Sequence, residues 1–176
     1  APNWGSGTTS SADAQCFRAG GQGEAGALVN LHNGQDPGVK FYTHLPDRFG
    51  PYHTKVIAAT ANEAPHVLDG LLYHKSSLII NEHYTDTGGF SDHVFAMCRL
   101  LGFRFSPRIR DLKEKRLYLL PGMTVPPEIA SLVAGAINVR AIGDHWSELL
   151  RLALSIKTGK FPPRVILHKL RASPPH

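Results

Sequence analysis

Leu78-Ile79-Ile80, followed by His83-Tyr84-Thr85-Asp86-Thr87-Gly88-Gly89-Phe90, is the stretch on which the fold of this chain turns. The apolar run and the alternation after it predict a buried strand over 78–84, and Gly88-Gly89 predicts a tight turn. Ser91 then suits the N-cap of a helix whose stripe is Val94, Phe95, Cys98 and Leu101, with Gly102 as its stop. Asp86 falls at the strand-to-helix junction. A lone carboxylate there is costly, because a desolvated acid tends to take up a proton. The same position serves well when a cation completes the site.

Working outward, Thr8 to Arg18 combines β-branched and small residues with one acid, Asp13, and predicts a first strand, after which Gly20 to Gly26 reads as a break. Val39 to Leu45 and Tyr52 to Ala59 predict a hairpin around the turn Pro46-Asp47-Arg48-Phe49-Gly50-Pro51. Thr60 or Asn62 caps a helix with Ala64, Val67, Leu68, Leu71 and Leu72 at helical spacing and Pro65 in its first turn. The order strand, strand, strand, helix, strand, helix, with acids on strands one and four, matches the ribonuclease H-like plan. That plan is an α/β fold whose mixed sheet is flanked by helices and sets strands one and four side by side. Asp13 and Asp86, remote in sequence, then meet in space.

Further on, 103–120 predicts a short strand or turn dense in charge, and Pro121, Pro126 and Pro127 mark the start of a helical part. Asp144 suits the cap of a helix with Trp146, Leu149, Leu150, Ala153 and Ile156 on one face and Gly159 after it. The expected division is a partial ribonuclease H-like core over 1–120 and a helical insertion or extension of the same domain over 121–176.

The 176 residues, 42% apolar and 19% charged, are ordinary for one globular domain, and the formal charge of +5 suits an anionic partner. Cys16 and Cys98 stand far apart with no CxxC pair, which supports neither a disulfide framework nor a four-ligand zinc site. No apolar run reaches the ~20 residues of a membrane span, and the first residues lack the blocks of a signal peptide. A soluble, cytoplasmic protein with reduced thiols is the expectation.

Two converging carboxylates suit Mg²⁺, which demands hard oxygen ligands and keeps waters that phosphate oxygens can replace. Two such ions ~3.5–4 Å apart can activate an attacking oxygen and stabilise a leaving one. The plainer reading makes Asp13 a surface acid and Asp86 a helix cap. His83 alternates to the side opposite Tyr84 and Asp86 and reads as packing, and no HExxH pattern appears among the histidines. Gly88-Gly89 without GxxxxGK[ST] is a turn, and Gly21 to Gly26 is no dinucleotide fingerprint.

Tyr84-Thr85-Asp86-Thr87-Gly88-Gly89-Phe90-Ser91-Asp92-His93-Val94-Phe95, with Leu100 to Leu112 after it, closely resembles the DDE transposases of the Tn-three family. The resemblance extends through Gly34 to Tyr42, Thr54 to Thr60 and His145 to Leu152, nearly the whole chain. It implies DNA transposition: metal-dependent cutting at transposon ends exposes 3′ hydroxyls, which then attack target DNA. It puts the first two catalytic, metal-binding acids on Asp13 and Asp86, with Mg²⁺ as cofactor and Mn²⁺ as its substitute. The partners implied are DNA, as transposon ends and target, and further copies in a homo-oligomer of the full-length protein, in the bacterial cytoplasm at the nucleoid.

Two departures stand beside Asp13, where the family's Asp-Gly-Gln-Arg-Phe is replaced by Asp13-Ala14-Gln15-Cys16-Phe17. Ala14 removes a residue that tolerates close approach of DNA, and Cys16 removes a base that can hold a phosphate. Cys16 also reads as an ordinary buried thiol. The family's third acid, a glutamate, lies beyond His176, so the chain reads as a fragment truncated before it. Glu148 belongs to a different segment and reads as a solvated helix flank. A non-catalytic remnant that binds DNA or a transposase is therefore the alternative to an active enzyme. Arg104, Arg108, Arg110, Lys113, Lys115 and Arg116, interleaved with Phe103 and Phe105, form a track for DNA phosphates, the plainer reading being a loop paired with Asp111 and Glu114.

Overall fold

The computed structural model describes residues 5–18, 28–29, 37–48 and 50–172. The Gly20 to Gly26 break lies outside them, as do the first residues of the Gly34 to Tyr42 stretch. The fold is mixed α/β. Its main sheet has six strands: β1 (Thr9–Arg18), β2 (Leu28–Val29), β3 (Pro37–Pro46), β4 (His53–Ala58), β5 (Glu82–Thr85) and β6 (Arg104–Pro107). β3 lies antiparallel to β1 and carries β4 and the short β2 on its other edge, while β5 and β6 continue the sheet parallel to β1. The first and last long strands of the expected set are therefore neighbours, with Ala12 paired to Thr85.

One face of this sheet is covered by helices. Asn62 accepts from the Ala64 N–H at 2.9 Å and opens a 3₁₀ turn, Ala64–His66, that runs into α1 (Val67–Leu72). Val67, Leu68 and Leu71 are buried there, each contributing about 1.5–3 kcal/mol of apolar burial. Ser91 caps α2 (Asp92–Leu101) by accepting from the Val94 N–H, and Gly102 ends it at φ 93°, in the left-handed region that glycine enters without strain. Val94 and Cys98 are buried as the stripe requires, but Phe95 is 46% exposed and Met97 takes its place inside.

Four expectations change. The strand after Leu78-Ile79-Ile80 begins only at Glu82: Ile80 is buried and Leu78 packs against the core, while Ile79 stays exposed and none of the three pairs. An apolar run reports burial, not strand pairing. Cys16 is exposed, whereas Cys98 is buried. Residues 121–176 are not helical throughout: β8 (Val133–Ala136) pairs in parallel with β7 (Leu117–Leu119) before α3 (Val139–Asp144), α4 (Trp146–Lys157) and α5 (Pro163–Arg171). Asp144 closes α3 and does not cap α4, whose Ala153 and Ile156 reach the core. Among the described residues no helix is long and apolar enough to cross a membrane.

A polar layer runs through the core. His83 and His44 are fully buried and stack with ring centroids 5.3 Å apart, and Phe105 flanks His83. Ser10 and His83 share a 2.7 Å hydrogen bond that ties β1 to β5, and the Tyr52 hydroxyl donates to the same Ser10 oxygen. His44 Nε2–H donates to the Val67 carbonyl, so the ring lies against α1. Asp69, on α1, meets Lys55 of β4 and Arg164 of α5. Burial pushes its carboxyl up, but His66 and Lys55 more than offset this and leave it below the ordinary value.

Two outcomes follow. A methyl on Gly70 would collide with the His44 ring at Nε2, so Gly70→Ala should lower stability by about 1–3 kcal/mol despite alanine's better helix propensity. Gly135→Ala, which meets only the Tyr118 ring at 3.9 Å, should be tolerated, and chemical denaturation of the two variants distinguishes them. The second outcome concerns pH. Burial lowers His44 to about 3, helped by the neighbouring rings of His83 and His53, and lowers His83 to about 4. An unfolded chain protonates both near the ordinary value of about 6.5, so above that pH they cost nothing. As pH falls below about 6.5 the unfolded state takes up protons first and stability drops, until the folded rings themselves protonate near pH 3–4. The urea midpoint should be lower at about pH 5 than at about pH 7.5, and His83→Gln should shrink the difference.

Candidate metal and nucleic-acid site

Asp86 leaves the sheet at the end of β5, whereas Asp13 lies in the middle of β1 and stays paired with Thr43 of β3. Ala12 and Thr85 form the last pair in the parallel register of β1 and β5, and the two acids come next on each chain. Ala12 and Thr85 are buried and both aspartates are exposed. Asp13 Oδ1 accepts from the Ala14 N–H at 2.7 Å. Asp86 Oδ1 accepts from the N–H groups of Gly88 at 3.0 Å and Gly89 at 3.3 Å, capping the 3₁₀ turn Thr87–Gly89. The cap is real, and it leaves Oδ2 of Asp86 for other work.

Tyr42 lies beside these acids at the heart of β3. Its side chain is fully buried and its hydroxyl has no hydrogen-bond partner. Burial pushes its pKa well up, and the charges of Glu63, Asp86 and Asp13 add to that in turn. Three carboxylates and an orphaned hydroxyl therefore share one neighbourhood. Such a buried, unsatisfied group ordinarily costs about 1–3 kcal/mol and calls for a polar occupant nearby. The donor set of hard oxygens suits a divalent cation such as Mg²⁺. No three His, Cys, Asp or Glu side chains among the described residues are gathered closely enough to hold an ion alone.

Sequence reasoning missed Glu63 and Tyr42. Glu63 reads locally as an acid at a helix start, and Tyr42 as one more alternating strand residue. Only the packing of the Ala64–His66 turn against β3 and the Gly88 loop brings them to the acids. His83 packs in the core, away from the site. Glu148 lies exposed on α4.

The basic run starts at Arg104, paired with Glu82 at the other end of β5, and reaches the Asp86 end of that strand at Arg108, whose N–H donates to the Thr85 carbonyl at 2.8 Å. Lys115 stands over the Phe90 ring at 5.4 Å. Arg116 donates to the carbonyls of Lys113 and Lys115. Among the described residues only Arg104 of the six has a carboxylate within 4.0 Å, Glu82 at 3.8 Å, so the pairing with Asp111 and Glu114 that the plainer reading supposes does not form. All six are exposed.

The Tn3 transposase DDE domain matches residues 1–176. The chain belongs to that family. It is 51% identical over 174 residues to the transposase of transposon Tn501 from Pseudomonas aeruginosa, covering 99% of this chain and 18% of that protein. It is 47% identical over 174 residues, with the same coverage, to the transposase of Tn21 from Escherichia coli. The transposase of transposon gamma-delta from Escherichia coli is 28% identical over 173 residues, 98% of this chain and 17% of that protein. The chain thus spans under a fifth of the length of these relatives. No solved structure matches it.

Proposed function

We propose that the chain is the part of a replicative DDE transposase that holds the first two metal-binding acids, within a ribonuclease H-like core. The observation that carries this reading is the juxtaposition of Asp13 and Asp86 after the Ala12–Thr85 pair of neighbouring parallel strands. The strand order β4-β3-β1-β5-β6 supports the ribonuclease H-like plan.

Asp13 and Asp86 are the residues that hold Mg²⁺, or Mn²⁺ in its place. The ion supplies charge stabilisation for phosphoryl transfer between a transposon end and target DNA. The chain's own groups prepare for this. Asp13 and Asp86 each follow the last pair of β1 and β5, and the Gly88 and Gly89 N–H groups orient the Asp86 carboxylate through Oδ1. Arg108, Arg110, Lys113 and Lys115 lie downstream of the same strand end and supply cations for DNA phosphates. Arg donors in particular match phosphate oxygens in pairs.

Asp86→Asn tests the acid without removing the cap, since asparagine caps a helix about as well as aspartate. It should abolish most Mn²⁺ binding with little change in the thermal midpoint, and Asp13→Asn should do likewise. Unchanged binding in both variants would refute the site. In a longer chain of this family carrying these residues, the same substitutions should abolish joining of transposon ends to target DNA. For the basic run, replacing Arg108, Arg110 and Lys113 with Gln should flatten the dependence of log affinity on log salt by ~0.9 for each phosphate no longer neutralised. An unchanged slope would leave the run as a solvated loop.

A further inference from the structure

Lys40, on β3, donates to Glu63 Oε1 at 3.0 Å and to the Ala61 carbonyl at 3.2 Å, and both side chains of the ion pair are largely buried. The pair fixes one oxygen of Glu63 and aims the other. A methyl built on Gly88 would lie 2.6 Å from Glu63 Oε2 and 3.3 Å from Asp86 Oδ1, so the two carboxylates border one small space that only a glycine leaves open. Two carboxylates bordering one space repel each other unless a cation sits near. Lys40 satisfies one side of Glu63 only. The Tyr42 hydroxyl, fully buried and without a partner, is the independent sign that a polar occupant belongs here.

We propose that Glu63, held by Lys40 and admitted by Gly88, is a positioning residue of the metal centre, with Oε2 accepting a hydrogen bond from water on the Asp86 flank of a divalent cation. This rests on the reading of Asp13 and Asp86 as the metal-binding acids. Direct ligation by Glu63 is not required, since no closed set of three ligands is present among the described residues. The charges of Glu63 and Asp86 both act on the buried, unpartnered Tyr42 hydroxyl. Groups that orient a metal's immediate partners commonly contribute about 10–100-fold in metal affinity.

The test is Mn²⁺ binding to the whole chain, read from the free-ion electron paramagnetic resonance signal, alongside thermal midpoints in metal-free buffer. Glu63→Gln should weaken Mn²⁺ affinity by about 10–100-fold. Gly88→Ala, which drives a methyl against Glu63 Oε2, should weaken it as well, and should add nothing in the Glu63→Gln background. Glu63→Gln with parental affinity and a lowered thermal midpoint would overturn the proposal and leave Glu63 as a strut for β3. If Asp86→Asn still abolished binding in that case, the two-acid reading would survive without Glu63. Parental affinity in Asp13→Asn, Asp86→Asn and Glu63→Gln alike would refute both. Should Glu63→Gln fail to fold, a loss of affinity in Gly88→Ala supports the proposal, and parental affinity there overturns it.

Discussion

The parallel pairing of β1 with β5 is the constraint on which the rest of the molecule depends. Two strands remote in sequence must meet in one register, and the side chains alternate with a period of two. A slip of one residue would turn every side chain of a strand to the other face. The register is held by the buried hydrogen bond between Ser10 and His83, which a slip would break and leave unsatisfied in the core. The stacked rings of His44, His83 and Phe105 extend this tie across β3, β1, β5 and β6. With Ala12 against Thr85 inside, Asp13 and Asp86 fall outside together.

The same register thus puts both acids one step beyond the last pair of β1 and β5. Asp86 acts there as a cap. Its Oδ1 caps the Thr87–Gly89 turn, which offsets some of the cost of holding a carboxylate at a strand exit. Its remaining oxygen, with Asp13, Glu63 and the unpartnered Tyr42 hydroxyl, makes the local electrostatics lopsided in favour of a cation. The nearest counter-charge, Lys40, is already engaged on the far side of Glu63. Contrast the Asp69 cluster, where Lys55, His66 and Arg164 surround the acid and tie β4, α1 and α5 together. One acidic group is neutralised as structure, and the other set is left open.

Much of this was legible along the chain. Ser91 and Gly102 bounded α2 because capping and left-handed backbone are local requirements, satisfied within a few residues. The hairpin of β3 and β4 and the strand bearing Asp13 follow from alternation, which is equally local. Burial was less legible. Leu78-Ile79-Ile80 looked like the body of a strand, yet Ile79 stays exposed and pairing starts at Glu82. Phe95 and Met97 exchanged places between surface and core. Hydrophobicity records what can be buried, and the neighbours decide what is.

The sequence by itself determined the family, the element order, and the candidacy of Asp13 and Asp86, because caps, turns and a long shared motif are written in contiguous residues. Only the tertiary structure decided that Glu63, Lys40 and Tyr42 gather beside Asp86, and that Gly88 must lack a side chain to let them. Those contacts join β3, the turn before α1 and the loop after β5. Their reason is steric and electrostatic complementarity between segments far apart in the chain, and no local pattern encodes it.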